Sequence, residues 1–152
     1  MLAVRNLKVL LVEDDPELAR TVERVLARYG HATVTVGNVA SAEGLADVFD
    51  CGILDIDLPD GSGVRLAELL LDRGQLGAVV FFSASADADT VAEAAEIGVF
   101  VAKAAGTRGL ERALADAVSH AARQVAGSEQ TTSTPVHRRT KSGARRKTNG
   151  HQ

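Results

Sequence analysis

The chain has 152 residues, 45% of them hydrophobic, and a formal net charge of −3, which is long enough for one domain with a proper core. It holds no run of about 18 or more apolar residues, which argues against a membrane span, and residues 1–8 lack the charged-then-apolar pattern of a signal peptide. The single cysteine, Cys51, cannot form an internal disulfide; the expectation is a soluble cytoplasmic protein in which this thiol is buried and inert.

In chain order, residues 8–12 (KVLLV) read as a short buried strand. Asp15-Pro16 then reads as a helix N-cap followed by proline at the first helical position. Leu18, Val22, Val25, Leu26 and Tyr29 recur at helical spacing until Gly30 stops the helix. Residues 33–36 (TVTV) are a β-branched strand. Residues 41–49 form a weaker helix pattern, with Leu45, Val48 and Phe49 on its apolar side. A third strand is expected over 52–56 and breaks into Pro59-Asp60-Gly61-Ser62-Gly63, which is turn chemistry. The pattern continues with a helix over 62–73 closed by Gly74 and a strand over 78–82 that ends on Ser83. An alanine-rich helix over 87–96 has little apolar surface to bury, so it should be easily displaced. A short strand over 99–101 near Lys103 and a last helix over 107–118 complete the series.

Five aliphatic strands alternating with five helices argue for an α/β fold, a doubly wound parallel sheet covered on both faces. In such a sheet the carboxyl ends of the strands lie on one edge, where ligands bind. Glu13-Asp14, Asp55, Ser83 and Lys103 all lie at or just past the carboxyl ends of strands there. Each has a bland reading alone: acids before a helix are caps and dipole partners, a serine after a strand is a turn residue, and a lone lysine is solvated. Their convergence fits transfer of a phosphoryl group to a carboxylate. An aspartate can serve as the nucleophile, acidic neighbours can hold a Mg²⁺ that neutralises the incoming phosphoryl, and Lys103 and Ser83 can contact its oxygens.

The motifs VLLVEDD, ILDIDLPDGSG, VVFFSAS and FVAKAAG, in this order, resemble the receiver domain of two-component response regulators. The resemblance spans about residues 7–123 and implies a flavodoxin-like fold with strand order 2-1-3-4-5. It implies that Asp55 is the phosphoacceptor and that Mg²⁺ is held by Glu13, Asp14, Asp55 and the backbone carbonyl of Asp57. Ser83 matches the family's switch hydroxyl, Lys103 its phosphate-contacting lysine and Phe100 its switch aromatic. A sensor histidine kinase or a phosphotransfer protein would be the donor, and an unidentified protein would read the face of the fourth helix, fifth strand and fifth helix. The only catalysis implied is on the chain's own aspartyl phosphate. One departure stands out: Ala104 follows Lys103 where the family commonly has a cis proline, so a trans bond is expected here.

Two other readings compete. Asp55-Ile56-Asp57 also resembles the nucleophile motif of haloacid-dehalogenase-type phosphatases, but there the acidic pair follows the nucleophile, whereas Glu13-Asp14 precede it. A receiver-like module acting without phosphorylation is the other; the full set of residue types weighs against it. The histidines His31, His120, His137 and His151 lack metal-ligand spacing, with His31 read as a turn residue.

Charge divides the chain in two. Residues 1–123 carry 11 basic and 19 acidic groups, whereas from Gln124 onward six Lys/Arg face one acid, Glu129. Residues 124–152 lack periodicity and read as a disordered basic tail beside a receiver of residues 1–123, too short for an output domain. A solubilising role is the plainest reading of Arg138-Arg139 and Arg145-Arg146-Lys147. Nonspecific nucleic-acid binding, docking on an acidic partner, or folding back onto the acidic body are the functional alternatives.

Overall fold

Strand β1 (Lys8–Val12) leads into helix α1 (Pro16–Arg28), and β2 (Ala32–Val36) follows with the short α2 (Val39–Glu43). Next come β3 (Cys51–Leu54), a two-residue-arm hairpin of β4 (Asp57–Leu58) and β5 (Gly61–Ser62), and α3 (Gly63–Asp72). The strand β6 (Val79–Ser83), helix α4 (Ala88–Ile97), strand β7 (Val99–Ala102) and helix α5 (Leu110–Thr131) finish the fold. This computed structural model describes residues 6–85 and 87–131.

The main sheet has the order β2-β1-β3-β6-β7 with every pairing parallel. Counted along the chain within that sheet, this is the expected 2-1-3-4-5. Side chains alternate across it with the period of two that a strand dictates. Val9, Leu11, Ile53, Val80 and Phe82 face α1 and α5, meeting Val22, Leu26, Leu110 and Leu114. Leu10, Val12, Leu54, Val79 and Phe81 face the other layer, meeting Leu66 and Leu70 of α3 and Ala94 of α4. Full burial of each such aliphatic or aromatic side chain is worth about 1.5–3 kcal/mol, which is why the central strands tolerate no polar residue before their ends. Cys51 belongs to this core, and burial pushes its thiol up to about 12.

Helix boundaries follow the capping chemistry. Asp15 accepts from the amides of Glu17 and Leu18 at the start of α1, and Gly30 takes φ +85 after its end. Ser62 accepts from Val64 N and Arg65 N at the start of α3, and Gly74 takes φ +72 beyond it. In α4 only Ala94 is buried, in keeping with its sparse apolar face. Arg65 of α3 reaches that helix from outside, with Nη2 3.0 Å from Glu93 Oε2, an exposed pair that adds little.

Three expectations are corrected. The helix expected over 41–49 is only α2, because Gly44 caps it and the following carbonyls find a different partner. Gln75 Nε2 donates to Leu45 O at 2.8 Å and to Asp47 O at 3.2 Å, and Phe49 forms an isolated parallel bridge with Leu76. Val48, read as part of an apolar side, is 65% exposed. The last helix starts later than residue 107 and does not stop at 118; it runs to Thr131. Ala121, Ala122, Arg123 and Gln124 are all good helix formers, and Ala117, Val118 and Ala121 continue the packing stripe. The disorder expected from Gln124 therefore does not hold over 124–131, and residues 132–152 lie outside the described residues. Finally, His31 is no turn residue but a buried one, 6% exposed. Its Nδ1 accepts from Leu7 N at 3.2 Å while Nε2 lies 3.0 Å from Glu111 Oε1 of α5.

The β4–β5 hairpin has a consequence for stability. It projects Asp60, whose carboxylate accepts from Val39 N at 2.7 Å and Ala40 N at 3.0 Å, capping α2 from a distant loop. These two backbone hydrogen bonds hold the Asp60 carboxyl below its ordinary value. A folded-state pKa below the unfolded one stabilises above the unfolded pKa, about 3.9, and the gain is lost as pH falls through the folded value. Asp60→Asn is thus expected to lower Tm at pH 7, with the gap to the wild type closing in thermal melts below about pH 4.

Candidate functional site

The carboxyl ends of β1, β3, β6 and β7 bring the predicted residues to one edge of the sheet. The ladders run one residue past the strands: Glu13 N donates to Val36 O and Asp55 N donates to Val12 O, each at 3.0 Å. This fixes the backbone from which both carboxylates project. Glu13 and Asp55 are buried, at 5% and 6% exposure, whereas Asp14 and Asp57 are exposed.

Asp55 is held on both oxygens. Its Oδ1 accepts from Ser83 Oγ at 2.8 Å and from Asp57 N at 3.2 Å, and its Oδ2 accepts from Lys103 Nζ at 2.7 Å. Lys103 Nζ also lies 3.0 Å from Glu13 Oε1, so one ammonium spans two buried carboxylates. Glu13 uses its other oxygen, Oε2, to accept from Asp15 N at 3.1 Å. Ser83 is fully buried, and its hydroxyl accepts from Ser85 N at 3.3 Å. The hydroxyl proton is therefore free to point at Asp55 Oδ1.

Burial raises the Glu13 carboxyl above its ordinary value, against the Lys103 hydrogen bond and the Asp15 amide, which lower it. Burial alone would depress the Lys103 ammonium, but hydrogen bonds and charge from Asp55 and Glu13 outweigh it and leave that group raised. Lys103 is accordingly a firm cation at neutral pH. It reaches both acids from a short 3-10 turn, Lys103–Ala105, with no cis peptide bond among the described residues. The alanine in place of a cis proline does not keep the lysine from the site.

Carboxylate oxygens of Glu13, Asp14 and Asp55 lie within 4.8 Å of one another. Three hard oxygen donors gathered at one edge of the sheet suit a Mg²⁺. The Asp57 carboxylate is outside that group, consistent with a reading in which its side chain is not a ligand. Phe100 sits on β7 opposite Phe81, partly buried against the α3–α4 side of the core. The amides of Asp15, Asp57 and Ser85, which fix the three key side chains, have no signature in sequence, because any residue offers an amide.

Residues 9–115 match the family model described as "Response regulator receiver domain". The transcriptional regulatory protein DpiA of Escherichia coli K12 is 37% identical over 98 residues, covering 62% of this chain and 43% of that protein. The chain thus spans less than half the length of this relative. Among solved structures, the non-phosphorylated HemR receiver domain of Leptospira biflexa superposes with a TM-score of 0.64 at 29% identity, covering 74% of this chain and 94% of that one. The response regulator protein TrrA of Thermotoga maritima, in complex with Mg(2+)-BeF, gives 0.61 at 20% identity over 69% of this chain and 93% of that one.

Proposed function

This chain belongs to the response regulator receiver domain family, and from that premise we propose that it takes a phosphoryl group onto Asp55 and uses it as a reversible signal. Receiver domains receive phosphoryl groups from histidine kinases and act on downstream partners; here the donor would be a kinase or phosphotransfer protein carrying phosphohistidine. The observation that carries the reading is the two-sided hold on Asp55, with Ser83 on Oδ1 and Lys103 on Oδ2, at an edge that also gathers Glu13 and Asp14.

In the transfer a carboxylate oxygen of Asp55 forms the new O–P bond as the donor's P–N bond breaks. Lys103 is placed to pass from Asp55 Oδ2 to an oxygen of the arriving phosphoryl, since its second contact, Glu13, keeps it at the site. Glu13, Asp14, Asp55 and the backbone carbonyl of Asp57 would hold Mg²⁺, which when bound supplies charge neutralisation for the phosphoryl oxygens. Formation of the acyl phosphate removes the carboxylate charge to which the Ser83 hydroxyl now donates and would offer it phosphoryl oxygens instead. Its reorientation toward the phosphoryl, with inward movement of Phe100, would bias the face of α4, β7 and α5, the least anchored helix of which is α4. We take the protein to act in the cytoplasm as a signalling module without an enzymatic activity on other substrates.

The test is intact mass after incubation with Mg²⁺ and acetyl phosphate, with Asp55→Asn in parallel. The wild type is expected to gain one labile phosphoryl and the variant none. Equal gain on both proteins, or no gain with either acetyl phosphate or a phosphorylated kinase, would count against the proposal.

A further inference from the structure

Far from Asp55, a groove of about 700 Å³ runs between the carboxyl end of α4 and the exposed side of α5. Its lining includes Ile97, Val99, Ala121 and Val125, with the exposed carboxylates of Glu96 and Asp116 on its margin. Val125 is one of the few large hydrophobic residues left open, at 59% exposure. Arg123 also lines the groove, and Arg112 Nε stands 4.0 Å from Asp116 Oδ2 at an exposed position where such a pair is worth little. Among the described residues the α4 side has no base to offset Glu96: Asp89, Glu93 and Glu96 are the charged residues of this helix, and of these only Glu93 has an ion-pair partner there.

The chain supplies the complementary sequence itself. Residues 132–152 carry six Lys/Arg and no acid, while residues 1–131 carry 11 Lys/Arg against 20 Asp/Glu. The one large aliphatic residue in 132–152 is Val136, and it is followed at once by His137-Arg138-Arg139. We infer that Pro135 to Arg139 docks back into the groove between α4 and α5, with Val136 against Val125 and Ile97 and the two arginines against Glu96 and Asp116.

Reach permits it. Gln124, which lines the groove, and Thr131 are seven helical residues apart, roughly 10 Å along α5. The five residues from Thr131 to Val136 can span up to roughly 17 Å, so the chain can reverse and bring Val136 beside Val125. A segment tethered at that distance has a high effective concentration, so even a shallow groove and two exposed ion pairs can hold it. The contact would clamp the carboxyl end of α4, the helix with one buried residue, against α5. The inference is independent of whether Asp55 is phosphorylated.

The test uses the full chain with a nitroxide on Thr140→Cys. Cys51 is buried in the core and remains unlabelled. In isotope-labelled protein the amide signals of Ile97, Val99 and Ala121 are expected to lose most of their intensity, while Arg20 and Arg24 on α1 keep theirs. The loss should vanish in Arg138→Glu/Arg139→Glu and in about 1 M salt, where the Debye length falls to roughly 3 Å. Combining that variant with Glu96→Arg/Asp116→Arg should restore it. Losses that are absent, spread evenly, centred on Asp55, or unaffected by the charge reversals would overturn the inference. So would losses that persist when the nitroxide and the isotope are carried on different molecules, since the segment would then be docking on a second copy.

Discussion

Gly63→Ala is expected to cost more than about 3 kcal/mol, a large part of the 5–15 kcal/mol that holds a typical domain together. A Cβ at Gly63 would lie 1.9 Å from Asp55 O, 2.8 Å from Asp55 C and 2.9 Å from Ile56 Cα, all of them backbone atoms. None can yield by changing a rotamer. The close approach exists because Gly63 N donates to Ile56 O at 2.7 Å, which seats the start of α3 on the loop leaving β3. Alanine is the better helix former by up to about 1 kcal/mol, so propensity alone predicts the opposite sign. Steric overlap wins, and relieving it must push α3 away from the segment that carries Asp55. Gly109, where an added Cβ meets nothing within 4 Å, is the control: Gly109→Ala should leave the urea midpoint close to that of the wild type. A Gly63→Ala midpoint equally close would show that the seat of α3 on the Asp55 loop is looser than the geometry states.

Lys103→Met is expected to move two properties in opposite directions. Nζ lies 2.7 Å from Asp55 Oδ2 and 3.0 Å from Glu13 Oε1, so it occupies the field that a divalent cation would share. Removing the ammonium should tighten Mg²⁺ binding, because two buried carboxylates are left facing each other without a counter-charge. The rate of phosphoryl uptake should nevertheless fall, by roughly 10²-fold or more, the usual loss when one preorganised donor to a developing charge is removed. Metal-free Lys103→Met should also unfold at lower urea than the wild type, and Mg²⁺ should recover part of the difference. Titration calorimetry and single-turnover mass measurements separate the two effects. Weaker metal binding together with an intact rate would reverse the role assigned to Lys103.

The sequence carried the site better than the elements around it. Glu13, Asp55, Ser83 and Lys103 were legible because buried parallel strands admit polar residues only at their ends, and a parallel sheet puts those ends on one edge. The 8–12 strand and the Asp15 cap were legible for similar local reasons. The short α2 was not, because Gln75, some 30 residues away, satisfies the carbonyl of Leu45 and Phe49 pairs with Leu76. The hairpin of Asp57–Leu58 with Gly61–Ser62 was hidden inside turn chemistry that fits either reading. The Asp60 cap on α2 and the His31–Glu111 contact join positions 20 and 80 residues apart or more, beyond any local pattern. The extent of α5 is not legible, because in sequence a loss of large apolar residues looks the same as a loss of helix. Alanine, arginine and glutamine sustain a helix without a buried face only through propensity, and that signal is weak against composition.

The central claim is that Asp55, and no other acid at this edge, takes the phosphoryl group. Borohydride reduction of the phosphorylated chain, followed by peptide sequencing in a mass spectrometer, addresses it most directly, because an aspartyl phosphate is converted to homoserine where it stands. Homoserine at position 55 alone is the predicted result. Homoserine at Asp14, Asp57 or Asp60, or a phosphoryl group that resists reduction and maps to a histidine or serine, would contradict it.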